Sequence, residues 1–103
     1  MMRTSKYNII TAPTSVPAAL LVPPSAVRVA ILVSAMSDET LFITPDPNAA
    51  VLTGFQITKE SGPLLLKRED LGDIITAAWY ATATTTPQLV PVLDISDSAW
   101  SDR

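Results

Sequence analysis

The sequence predicts an all-β domain, a small antiparallel sandwich or jelly-roll-like barrel of about seven short strands with an extended N-terminal arm. Three observations carry that expectation. Short apolar runs rich in Val, Ile, Leu and Thr recur at roughly 8–12-residue spacing, separated by proline and polar turn residues. The chain has nine prolines and three glycines in 103 residues, and no stretch sustains a 3.6-residue apolar repeat bounded by caps. The length suits one domain. We divide it into an arm (residues 1–12), a β-sandwich domain (13–96) and a polar tail (97–103).

Taken in order, the arm offers Tyr7, Ile9 and Ile10 as apolar anchors for docking on a neighbour. Residues 18–22 read as the first strand, bounded by Pro17 and by Pro23-Pro24 and so placed at an edge. Residues 27–33 form the next. Alternation there puts Val27, Val29, Ile31 and Val33 on one face and Arg28, Ala30, Leu32 and Ser34 on the other. The second face is only half polar, which predicts a strand covered on both sides or facing a partner. Ser37-Asp38-Glu39 reads as a hairpin-type turn into a strand at 40–44, which Pro45 and Pro47 stop. Short strands follow at 55–58 and at 64–67. A polar loop covers 68–73. Residues 74–81 read as a late strand with Ile75, Ala77 and Trp79 on one face. A threonine-rich connection leads to a last strand at 89–95, whose Pro91 points to an edge position.

Composition narrows the function classes. Histidine and cysteine are absent, so the common zinc, copper and haem sites cannot be built and thiol chemistry is excluded. We predict no metal and no cofactor. The acids fall mainly in turns, where solvation accounts for them, and Asp94 stands apart in an apolar strand, read as an outward or edge charge. No serine or threonine has a histidine to activate it, and the glycines are too scattered to cradle phosphate. The chain is therefore expected not to be an enzyme. Net charge is −3, with Lys59, Lys67 and Arg68 offset by Glu60, Glu69 and Asp70, so no basic stripe invites nucleic acid. Residues 7–27 carry no charge, but four prolines interrupt them, and neither a membrane span nor a signal peptide is expected.

The remaining signal is surface. Hydrophobic residues make up 48% of the chain and charged residues 17%, more apolar side chains than one small core needs. The residues expected at a contact are Tyr7, Ile9 and Ile10 of the arm, Arg28, Ala30 and Leu32 on the second face of their strand, and Trp100 in the tail. Arg28 is costly to bury unpaired, so it should reach a carboxylate or face water.

The order of segments from residue 24 to 96 resembles small β-sandwich virion proteins of tailed bacteriophages, namely head-decoration (cement) proteins and related fibre or tail accessory proteins. The resembling features are an arginine-led apolar strand (Val27-Arg28-Val29-Ala30-Ile31-Leu32-Val33), a short aromatic strand (Thr40-Leu41-Phe42-Ile43-Thr44) and Gly54-Phe55-Gln56-Ile57. Then come Pro63-Leu64-Leu65-Leu66, the glycine–acid turn Leu71-Gly72-Asp73, an Ala-aromatic strand, a threonine-rich loop and a closing Val-Leu-Asp-Ile strand. The resemblance implies a homotrimer on the virion capsid exterior that clamps major capsid protein subunits, made in the host bacterial cytoplasm. It equally covers a head- or tail-fibre module that binds a host receptor or glycan.

Overall fold

The computed structural model describes residues 3–15, 17–36, 39–46, 48 and 54–97. Among the described residues there are eight strands: β1 (Arg3–Ala12), β2 (Ala19–Val22), β3 (Arg28–Val33), β4 (Leu41–Thr44), β5 (Phe55–Ile57), β6 (Leu64–Lys67), β7 (Trp79–Ala83) and β8 (Gln88–Asp97). They form two four-stranded sheets, ordered β1-β8-β3-β6 and β2-β7-β4-β5, with every pairing antiparallel. First pairs with last, second with second-last, and so inward to β4 with β5. The chain is thus one long hairpin rolled into two facing sheets, the jelly-roll arrangement. The expected all-β sandwich is the observed fold.

The strand that completes the roll is the segment expected to be a free arm. Residues Arg3–Ala12 pair with Gln88–Asp97 along their whole length without a shift in register. The reason lies in Thr4, Tyr7, Ile9, Ile10 and Thr11, β-favouring residues with no proline among them. Ala12 reaches the core, and the Ala83 N–H donates to the Pro13 carbonyl at 2.7 Å, which ties the strand's end to the opposite sheet.

The core lies between the sheets. Ile31 and Val33, Val90 and Val92, Leu41 and Ile43, and Trp79, Ala81 and Ala83 supply it, closed by Leu21, Val22, Ile57, Leu66 and Ile75. Trp79 is buried, as its place in the core required, with the Phe55 ring 6.2 Å away. Leu21 and Val22 both reach the core because a register shift between Leu20 and Val22 breaks the alternation of β2.

Three expectations change. Residues 74–78 are not strand: α1 (Arg68–Leu71) runs into a 3-10 turn (Gly72–Thr76), and β7 starts only at Trp79. The carbonyls of this stretch serve other donors, with Thr76 accepting from the Ser25 N–H and Ile75 and Ala77 from Arg28. Glu39 does not close a hairpin, because β3 and β4 lie in different sheets; Ser37 and Asp38 lie outside the described residues. Pro91 lies on an inner strand, between β1 and β3. Its carbonyl accepts from Ser34, just past the end of β3, so its missing N–H faces the same side and interrupts no ladder.

Candidate functional site

The outer face of the first sheet is the feature that distinguishes this surface. The register aligns Tyr7 with Leu93, Leu93 with Leu32, and Leu32 with Leu65, one apolar row across all of β1, β8, β3 and β6. On one side of this row Ile9 pairs with Pro91, and Leu89 follows beside Thr11; on the other, Ile95 pairs with Ala30. Tyr7 is 63% exposed, Leu89 51%, Leu65 48% and Ile9 47%. Side chains of this size are ordinarily withdrawn from water or spaced apart, and here they adjoin. Charge enters the face only towards one end, where Arg3 lies 3.7 Å from Asp97 and Lys67 pairs with Glu69 at 3.2 Å.

Of the residues expected at a contact, Tyr7, Ile9, Ala30 and Leu32 are brought together on this face. Ile10 is not: it alternates inward and packs against the core. Trp100 lies outside the described residues. Leu65, Leu89, Leu93 and Ile95 complete the face and escaped the sequence reading. The apolar residues are visible in the Leu64-Leu65-Leu66 run and in the alternation of Leu89, Pro91, Leu93 and Ile95, but which side of each strand meets water is set by the sheet register, which the sequence does not state.

Arg28 is the clear correction. Its side chain is fully buried and offers nothing to a partner. Between Arg28 and Ala30 the β3–β8 register shifts, with Arg28 opposite Ser96 and Ala30 opposite Ile95. Val29 is thus an extra residue, a bulge that turns Arg28 onto the same inner face as Ile31. There Nε and Nη2 donate to the two carboxylate oxygens of Asp94 at 2.9 and 3.1 Å. Nη1 donates to the carbonyls of Ile75 and Ala77 at 3.1 and 2.7 Å, and Nη2 also to that of Pro23. One guanidinium therefore joins β3 and β8 to the ends of the segments that lead out of β2 and into β7. Asp94, expected as an outward or edge charge, faces inward as its partner. The bidentate geometry with backbone acceptors around it is what allows a buried cation.

A second polar cluster joins the sheets elsewhere. The Glu39 carboxylate accepts from the Thr84, Thr85 and Thr86 hydroxyls at 2.9, 2.8 and 2.8 Å, from the Thr85 and Thr86 N–H groups, and from Gln88 Nε2 at 2.6 Å. These donors, the Thr85 N–H first among them, hold its pKa well below the ordinary carboxylate value. The threonine run thus serves as a receptor for the chain's own acid, beyond the turn role its composition indicated.

A cleft of about 340 Å³ opens between β1 and the end of β2, with Lys6, Asn8, Pro23 and Asp94 among its walls. Asp94 is committed there to Arg28, so the cleft presents no free pair of carboxylates for acid–base work. Among the described residues no three acids gather as a metal site would need, and no helix is long and apolar enough to cross a membrane. No family model, curated protein or solved structure matches this chain.

Proposed function

We propose that this chain is a non-enzymatic structural protein that acts by docking the outer face of its β1-β8-β3-β6 sheet on another protein, and that its place is the exterior of a tailed-bacteriophage capsid, as a decoration or cement protein bridging major capsid protein subunits. The observation that carries the docking reading is the unbroken row Tyr7–Leu93–Leu32–Leu65 on an exposed sheet face. Contacts of this kind gain about 25 cal/mol per Å² of apolar surface covered, before ordering costs, and a shell repeats that gain at every copy. The placement on a phage shell rests on the pattern of segments between residues 24 and 96. Jelly rolls serve viral capsids and lectins alike, so the fold favours a surface role without choosing its partner.

The test is reconstitution. Phage shells stripped of this protein should lose heat resistance and regain it when the native chain is added. Leu65→Asp and Leu89→Asp, both at exposed positions, should fold normally and fail to restore it. Restoration by both variants would remove the face from the mechanism, and native chain that does not bind shells would remove the shell.

A further inference from the structure

The free edge of β1 points to a second copy of this chain. We infer that two molecules pair through β1, antiparallel about a two-fold axis at Tyr7, to make one continuous sheet of both first sheets. This pairing uses the strand edge and stands whether or not the outer face docks on a shell.

The direction of the backbone groups comes first. The Pro91 carbonyl faces β3, where it accepts from Ser34. Pro91 is aligned with Ile9, so this pair exchanges no hydrogen bonds, and the Ile9 N–H and C=O face away from β8. The Ile9 N–H accordingly bonds the Asn8 side-chain Oδ1 at 3.0 Å. By alternation Arg3, Ser5, Tyr7 and Thr11 also turn their N–H and C=O groups outward, where β1 meets no other described strand. Asn8 holds the place of a partner carbonyl at a single position.

Such an edge is normally blunted by proline, bulges, inward charge or shortness. The other sheet edges follow that rule: β2 is bulged and ends at Pro23-Pro24, β5 has three residues, and β6 has four. β1 has ten residues, no proline and an unshifted register, and of these devices it carries only a single inward-side charge, Lys6, in the wall of the cleft beside Asn8. Its charges favour its own copy in one direction. Arg3 and Lys6 both lie in the N-terminal half, so antiparallel pairing about Tyr7 sets Arg3 against Thr11, Ser5 against Ile9 and Lys6 against Asn8. A parallel, in-register pair would stack Arg3 on Arg3 and Lys6 on Lys6. Pairing at Tyr7 also meets the two-fold rule of a self-complementary contact, and it places the outward groups of Arg3 to Thr11 opposite outward groups of the partner.

Because the chain has no cysteine, single cysteines report the register. Residues in a hydrogen-bonded antiparallel pair have Cα atoms about 5.5 Å apart, within disulfide reach. Tyr7→Cys should therefore give a disulfide-linked dimer under mild oxidation, and Arg3→Cys should not. Ser5→Cys and Ile9→Cys should link when mixed, while Ser5→Cys alone should not, its two copies lying about 13 Å apart along the strands. By sedimentation the native chain should show a concentration-dependent dimer. Ser5→Pro, which removes an outward N–H and leaves the β8 ladder intact, should weaken the dimer about tenfold or more. The cysteine readout stands whether or not the proline variant folds. A monomer at all concentrations, a trimer, or Arg3→Cys linking as readily as Tyr7→Cys would each overturn the pairing.

Discussion

Arg28 and Asp94 face each other across β3 and β8 on the inner side of the first sheet, joined through both carboxylate oxygens at 2.9 and 3.1 Å. The guanidinium is wholly out of water, yet every one of its nitrogens has an acceptor. It acts less as a charge than as a rigid fork that fixes the position of the 3-10 turn against the sheet.

Removing one partner of such a buried pair leaves the other uncompensated, a cost of about 3–5 kcal/mol. Asp94→Ala should lower the stability measured by urea unfolding by roughly that amount. Arg28→Lys in the otherwise native chain should also lower it, because a single ammonium cannot reach Asp94, Ile75 and Ala77 together as the planar fork does. A native midpoint in Asp94→Ala would show that the pair contributes nothing.

The Glu39 cluster predicts a pH dependence. Its folded pKa lies below the ordinary value of 4.5. A depressed carboxylate contributes stability that is fully present above its unfolded pKa and is lost as pH falls through the folded one. The stability difference between the native chain and Glu39→Gln should hence be constant from pH 7 to about pH 5.5 and shrink progressively below 4.5. Thermal melts at matched ionic strength would measure it. A difference that stays level down to pH 2 would show that the threonine loop does not favour the ionised acid.

Two glycines separate backbone strain from steric conflict. Gly54 has φ +107 and Gly62 φ +80, both in the left-handed range that side chains resist. A Cβ at Gly54 would lie 2.4 Å from the Ile43 carbonyl oxygen, while one at Gly62 meets no atom within 4 Å. Gly62→Ala should cost about 1 kcal/mol and Gly54→Ala clearly more, about 2–3 kcal/mol, since backbone cannot yield as a side chain does. Equal midpoints for the two variants would contradict this ordering.

Much of the sandwich was legible because strand signals are local. The runs at 28–33, 41–44, 55–57 and 64–67 announce themselves by β-branched and apolar residues between turn residues. What failed was set by distant partners. Nothing near Tyr7 states that Gln88–Asp97 will pair with it, so a strand read as an arm. Nothing near Arg28 announces that Val29 will bulge, so strict alternation put the arginine outside. Ile74 and Ile75 have strand propensity, but Arg28 and Ser25 take the neighbouring carbonyls and hold a 3-10 turn. The apolar face was half legible: Ala30 and Leu32 pointed to it locally, and only the register adds Leu93 and Leu65.

The face itself predicts solution behaviour separable from folding. Leu65 and Leu89 are about half exposed, so replacing each with Lys should change stability by no more than about 0.5 kcal/mol. The double variant Leu65→Lys/Leu89→Lys should nevertheless elute earlier from a hydrophobic-interaction column and bind less of an apolar dye, because it interrupts the face on both sides of Leu93. Both positions lie off the β1 edge, so the disulfide yield of Tyr7→Cys should be unchanged in that background. Unaltered column retention would mean that these side chains are scattered contacts with water rather than one continuous surface, and the docking role would lose its physical basis.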